Sequence, residues 1–215
     1  MNNRSAFWSA VLMLLCTAAF AAESRTLLAL PKPQTDGGRP LMEVLKHRNT
    51  SRAFSSEKLS PQVLSNLLWA AYGINRPDAG KRTAPSAMNW QEIDIYVSLA
   101  DGLYRYEAAG HWLEPVLSGD LRALTGSQPF VAEAPVNLIY VADHARIGKA
   151  SKEEKELYSA ADTGFISQNV YLFCASEGLA TVVRGSIDRD ALAKAMRLRP
   201  DQKIILAQTV GYPKQ

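Results

Sequence analysis

The chain has 215 residues, 47% of them hydrophobic and 21% charged, with 13 Gly and 11 Pro. That balance excludes collagen-like, disordered and multi-span membrane architectures, and the length suits one domain that needs no disulfide staples. A formal charge of +3 is too near neutral to argue for nucleic acid, so an anion-binding role must come from a local cluster of basic residues.

Residues 1–21 read as a secretory signal: Arg4, an apolar run from Phe7 to Phe20, then the Ala19-Phe20-Ala21 cleavage pattern. The run is short for a hydrocarbon core of roughly 30 Å. There is no twin arginine, and Leu15 stands before Cys16 where a lipoprotein needs a small residue. Cleavage after Ala21 predicts a periplasmic or secreted protein without stable membrane insertion. It leaves Cys174 as a lone thiol in the run VYLFCASEGL, expected to pack in the core. Residues 22–40, with Pro31, Pro33, Pro40, Gly37 and Gly38, read as an extended arm crossing the surface or a neighbouring subunit. The folded domain is expected over 41–215.

Leu41 to His47 predicts a short helix entered at Pro40. Ser60-Pro61 opens a second, with Val63, Leu64, Leu67, Leu68 and Ala71 at helical spacing and Gly73 at its end. Residues 75–90 predict a structureless Pro/Gly/Asn-rich loop, of a length that is usually functional or mobile. Ile93 to Leu99, Gly102 to Glu107 and a stretch near Trp112 alternate as strands, and Val136 to Ala142 reads as a buried one. Lys152 to Gly178 is the longest helical stretch. Its KEEKE start suits a solvated face, and the nearly apolar FISQNVYLFCASEGL predicts a central, buried helix. Thr181 to Val183 is a short strand, Asp188 caps a helix running to about Leu198, and Lys203 to Val210 is a final strand. Helices interleaved with hairpin-like strands predict an α+β fold, a mostly antiparallel sheet wrapped by helices.

Three segments carry candidate chemistry. Lys46 to Phe54 sets Arg48 and Arg52 around Asn49, Thr50 and Ser51. Guanidinium forks grip phosphate oxygens in pairs and hydroxyls add donors; the same residues also suit a solvated helix end with cations near its negative pole. Arg82 to Gln91 joins small residues, amides and Pro85 in a loop that can lie along a flat heterocycle, or simply connect two elements. Val183-Arg184-Gly185-Ser186 is a strand-to-helix turn where glycine lets a backbone N–H approach a ligand.

The run Arg48-Asn49-Thr50-Ser51-Arg52-Ala53-Phe54 resembles the phosphate-binding signature of the nitroreductase family of FMN flavoproteins, and Pro85-Ser86-Ala87-x-Asn89-x-Gln91 resembles its second signature. The stretch from Leu67 to Arg76 and the later Gly102-Leu103-Tyr104-Arg105-Tyr106 are similar to the subgroup of dehydrogenases that oxidise azoline rings in peptide maturation. The resemblance spans about residues 40 to 214 and implies a nitroreductase-like fold and a homodimer with FMN at the subunit interface. By position, Arg48, Asn49, Thr50 and Arg52 would hold the phosphate and ribityl chain. Pro85, Ser86, Ala87 and Asn89, with Gln91 in the same signature, would line the isoalloxazine ring from the partner chain. Arg184 and Gly185 would sit near the flavin N5, and Lys214 is the basic residue left to reach the phosphate. Many relatives carry an acidic residue where Arg184 stands; a cation there would favour reduced, anionic flavin.

Flavin enzymes need few side-chain catalysts, because the cofactor carries the hydride; no catalytic side chain is singled out. The expected activity is an exported FMN-dependent oxidoreductase acting on a small organic acceptor. The alternative is a non-catalytic protein that keeps the fold and holds flavin or a related ligand. An exported protein meets little NADH or NADPH, so another donor is expected. His47, His111 and His144 lack metal-ligand spacing, and no metal is expected.

Overall fold

A computed structural model describes residues 26–214. The signal segment expected at 1–21 lies outside the described residues. In chain order the elements are β1 (Leu28–Ala29), α1 (Leu41–His47), α2 (Pro61–Tyr72), β2 (Ile74–Arg76), β3 (Lys81–Arg82), β4 (Ile93–Ser98), β5 (Gly102–Glu107), β6 (Trp112–Ser118), α3 (Phe130–Glu133), β7 (Val136–Asp143), α4 (Lys152–Glu177), β8 (Ala180–Arg184), α5 (Arg189–Met196) and β9 (Gln202–Gly211). Seven of the strands form one sheet in the order β1-β6-β5-β4-β7-β9-β8. Every neighbouring pair in it is antiparallel.

The elements follow from local chemistry. The Ser60 side chain accepts the Val63 N–H, Pro61 occupies the first helical position of α2, and Gly73 ends it with its N–H on the Trp69 carbonyl. Ser151 and Glu154 form a reciprocal capping box at the start of α4, and Gly178 ends it in the left-handed conformation at φ 69°. The Asp188 side chain accepts the Ala191 N–H to start α5.

The sheet is covered on both faces, and strand alternation divides its side chains between them. Ile93, Ile95, Val97, Leu138 and Tyr140 pack with Leu67, Leu68 and Ala71 of α2 and Ile166, Val170 and Cys174 of α4. On the other face Tyr96, Leu103, Ile139, Val141 and Ile204 pack with Leu192 and Met196 of α5. All eight residues of β7 are buried, as befits the strand covered on both faces. Cys174 is fully buried, and burial pushes its thiol up, so it is an inert core residue.

Two expectations change, and one that had two alternatives is narrowed. The loop at 75–90 is not structureless: β2 and β3 pair as a hairpin turned by Pro77–Ala79 and Gly80, and a further helical turn spans Ala87–Asn89. α4 is not buried all round, since Leu157 is 65% and Phe165 50% exposed along a face that looks outward. The described part of the arm lies on its own subunit. β1 pairs with β6, the Ser65 hydroxyl donates to the Pro31 carbonyl at 2.6 Å, and Gln62 donates to the Lys32 carbonyl. Among the described residues no helix is long and apolar enough to cross a membrane.

Candidate functional site

Arg48 is the residue after α1, where the helix gives way to extended chain. The chain then runs beside the outer edge of β8. The Ser51 N–H donates to the Thr181 carbonyl at 3.0 Å, and the Lys214 N–H returns to the Ala53 carbonyl at 3.2 Å. A bridge between Phe54 and Pro213 pins the turn from behind. Tyr171 of α4 organises the front: its hydroxyl meets Thr50 Oγ1 at 3.1 Å and accepts the Val183 N–H at 2.9 Å, while the Arg48 guanidinium lies over its ring at 5.3 Å. Asn49 donates to the His47 carbonyl. Arg48, Arg52 and Lys214 are thus brought to one turn, and among the described residues none of the three makes an ion pair. Arginines at 39, 105, 122, 146 and 199 do, while Arg76, Arg82, Arg184 and Arg189, which also lack one among the described residues, spend their guanidinium groups on main-chain carbonyls. Two arginines and a lysine gathered in one place without carboxylates make a candidate anion seat.

The second segment is a pre-formed wall. Met88, Asn89 and Gln91 all take positive φ, at 49°, 56° and 49°, a conformation that costs side-chain-bearing residues about 1–2 kcal/mol each. The loop holds it through hydrogen bonds. Ser86 Oγ accepts the Gln91 N–H at 2.8 Å. The Gln91 side chain accepts from Arg82 Nε at 2.6 Å and donates to the Gly80 carbonyl and to Asn89. The Ala87 N–H donates to Asp162 of α4 at 2.9 Å. Trp90 stacks edge-on against Tyr158 of α4, 5.6 Å between centroids. Pro85 and Asn89 stay exposed at the outer side, as does Met88.

The third segment continues the β8 edge. Residues 181, 183 and 185 direct their backbone groups outward, since 180, 182 and 184 face β9. Thr181 meets Ser51 and Val183 meets Tyr171, so the exposed Gly185 supplies the next outward N–H. The Arg184 side chain does not share this edge. It is buried on the sheet face away from α4, donating to the Thr125 carbonyl at 2.7 Å, Asn137 Oδ1 at 3.0 Å and Thr209 Oγ1 at 3.1 Å. Burial without a carboxylate lowers its pKa to about 10. Position 184 presents neither its side chain nor its backbone groups to the outer edge, and the cation serves to tie β7, β8 and β9 to the 122–125 turn.

Sequence reasoning missed Tyr171, Asp162 and Glu92. A signal for Asp162 existed, because it stands in helical register with Ile166, Val170 and Cys174 on the buried stripe of α4. The residues similar to the azoline-oxidising subgroup go into the frame. Leu67, Leu68 and Leu103 are fully buried, Arg105 pairs with Glu114, and the Tyr106 hydroxyl bonds His111. Two Ser–His contacts, Ser65 with His111 and Ser159 with His144, lie at residues whose serines are fully buried.

The nitroreductase family profile matches residues 45–212, which contain all three segments but Lys214. A protein of Methanocaldococcus jannaschii that carries a nitroreductase name is 31% identical over 169 residues, covering 74% of this chain and 85% of that one. A crystal structure described as a nitroreductase, from Ralstonia eutropha JMP134, superposes with a TM-score of 0.84 at 44% identity, covering 88% of this chain and 90% of that one. One from Desulfovibrio desulfuricans, in complex with FMN, gives a TM-score of 0.60 at 22% identity, covering 83% and 89%. An antiparallel sheet flanked by helices, a basic turn after the first helix and a strained loop before β4 therefore stand in a recognised frame: the chain belongs to the nitroreductase family.

Proposed function

We propose that two copies of this chain bind FMN at paired sites between them and pass electrons through it to a small organic acceptor. The observation that carries this reading is the gathering of Arg48, Arg52 and Lys214 without a carboxylate partner among the described residues. A phosphate monoester supplies the missing charge and takes guanidinium forks in pairs. Asn49 and the Thr50 hydroxyl stand beside it for the ribityl chain, and the outward Gly185 N–H continues the same edge toward the ring. The FMN complex of the Desulfovibrio relative supports the choice of cofactor. When bound, FMN supplies a two-electron centre that takes up and returns hydride at N5. The chain's own residues grip the phosphate, present a backbone donor at the ring end and keep water from one face.

The second wall comes from the partner in this reading. Tyr171 and Asp162 anchor the two segments to one helix, nine residues apart, which is about 13.5 Å along its axis. Leu157, Tyr158 and Phe165 lie exposed on α4, and Leu41, Met42 and Leu45 on α1. Six large apolar side chains exposed on two helices that touch each other suit such an interface. A two-fold axis across the middle of α4 exchanges its ends, so that the Ser86–Gln91 loop of one copy stands opposite the Arg48–Arg52 turn of the other. Export, read from residues 1–21, would set the donor apart from NADH and NADPH.

The test is the absorption spectrum of the purified full-length protein titrated with FMN, followed by anaerobic reduction with candidate donors and reoxidation by an acceptor. Flavin that binds, bleaches and is reoxidised supports the enzyme. Bound flavin that never turns over supports a binding protein. Rapid bleaching by NADH alone counts against the separate donor.

A further inference from the structure

Behind the Ser86–Gln91 loop lies a pair of carboxyl groups that make no ion pair among the described residues. Glu92 is 0% and Asp162 2% exposed. Glu92 Oε2 accepts the Ser86 hydroxyl at 3.3 Å, and Asp162 Oδ2 accepts the Ala87 N–H. Glu92 Oε1 is buried without a hydrogen-bond partner in the structure, and the Asp162 carboxyl lies within hydrogen-bonding reach of Glu92. The neighbouring charges are committed elsewhere. From β3, the Arg82 guanidinium sits over the Tyr72 ring at 4.5 Å and bonds Gln91. From the turn after β7, Arg146 donates to the Glu92 main-chain carbonyl and pairs with Asp94. From α2, the buried Tyr72 hydroxyl lies beside Ser86 and feels both carboxyl groups, and burial chiefly pushes it up to about 12.

Two adjacent buried carboxylates cannot both stay ionised without a counter-charge, whereas one proton between them turns repulsion into a hydrogen bond. We infer that Glu92 and Asp162 form a one-proton clamp on the Ser86–Gln91 loop: a single hydrogen, placed on Glu92 Oε1 and donated to Asp162, lets each carboxyl keep its hold on the loop. Loss of that hydrogen drives the two apart and frees Ser86 and Ala87. The two are positioning residues. The inference rests on the flavin reading only in making this loop the ring-facing wall.

Burial, and then the Asp162 charge, raise Glu92 above its ordinary value of 4.5. The folded chain therefore holds this proton more tightly than the unfolded one. The clamp is complete at low pH and is lost as pH rises through the raised value.

The test is hydrogen exchange of the full chain without ligand, read by mass spectrometry on peptides covering Ser86 to Gln91 and corrected for the intrinsic pH dependence of exchange. Between 4.5 and the raised value wild type should lose protection by up to about tenfold per pH unit, one proton's worth. Glu92→Gln, which keeps a donor without a charge, should hold protection constant over the same range. Asp162→Asn gives the same comparison should Glu92→Gln fail to fold. Equal pH dependence in wild type and the soluble variant would overturn the clamp. An FMN titration on the same samples separates the two ideas. A protein that binds no FMN at any pH removes the flavin reading, while the exchange result still decides the clamp.

Discussion

The turn from Arg48 to Ala53 and the loop from Ser86 to Gln91 sit at two stations of the same helix and are built on opposite plans. The turn is open: its backbone is docked on β8 and Tyr171, but its cations lack ionic partners among the described residues. The loop is closed on itself: its strained residues are held by Gln91, Ser86 and Asp162, and little of that bonding is left for a ligand. A region with unspent charge gains stability on binding; one already saturated supplies shape. The first should govern affinity, the second geometry.

The sharpest way to break this contrast is to separate the two copies of the proposed dimer. Phe165→Glu puts a charge on the exposed face of α4, and desolvating it at an interface is costly. A monomer should result, with flavin binding lost although Arg48 and Arg52 are intact. Sedimentation together with flavin absorbance reads both. A monomer that keeps wild-type affinity would put the whole site in one chain.

Next comes the charge itself. Hydrogen bonds to charged groups contribute about 1.5–3 kcal/mol each, so Arg48→Ala and Arg52→Ala should each weaken FMN by roughly 10- to 150-fold. The melting temperature of the ligand-free protein should barely move, because these side chains make no ion pair in the fold. Gln91→Ala should reverse that pattern. It removes three side-chain contacts, to Arg82, Gly80 and Asn89, and should cost about 1–3 kcal/mol in denaturant unfolding. Retained stability there would mean that the loop is held by something other than Gln91.

Much of this was legible along the chain where the signal is local. Ser60-Pro61, Asp188 and Gly178 mark helix ends because caps act within one turn. The alternation in Ile93–Ser98 marks a strand because one residue step changes the face. The β2–β3 hairpin escaped notice because strands of three and two residues are too short for a period. β1 escaped for the same reason, and because its partner lies more than eighty residues away. The side of the sheet taken by Arg184 was hidden as well. Alternation separates two faces but does not say which one α4 covers. Phe165 reads as core in an apolar run, and only the packed helix shows it outside. The Glu92–Asp162 pair joins residues seventy positions apart, where no window along the sequence reaches.

The smallest expected effect concerns His111, where the arm is fastened. Its ring sits between the Ser65 hydroxyl at Nε2, 2.7 Å away, and the Tyr106 hydroxyl at Nδ1, 2.9 Å away. Ser65 already donates to the Pro31 carbonyl, so Nε2 carries the hydrogen and Nδ1 accepts from Tyr106. This neutral ring fits; a second ring proton would face the Tyr106 hydroxyl and displace its hydrogen. Burial accordingly lowers His111 below its ordinary value of 6.5. The unfolded chain takes up the proton first, so this contribution is present above about 6.5 and is lost as pH falls toward the depressed value. Its slope cannot exceed about 1.4 kcal/mol per pH unit, one proton's worth. Glu92 has the opposite sign, losing its contribution as pH rises from 4.5. In urea unfolding of wild type the His111 contribution should make stability rise with pH below 6.5, and the Glu92 contribution should make it fall with pH above 4.5, so the two oppose each other in the acidic range. His111→Gln should remove the rising component alone and Glu92→Gln the falling component alone. If one substitution removes both, the two latches are not independent, and the division of the molecule into a charge-led turn and a bond-led loop would need to include the arm.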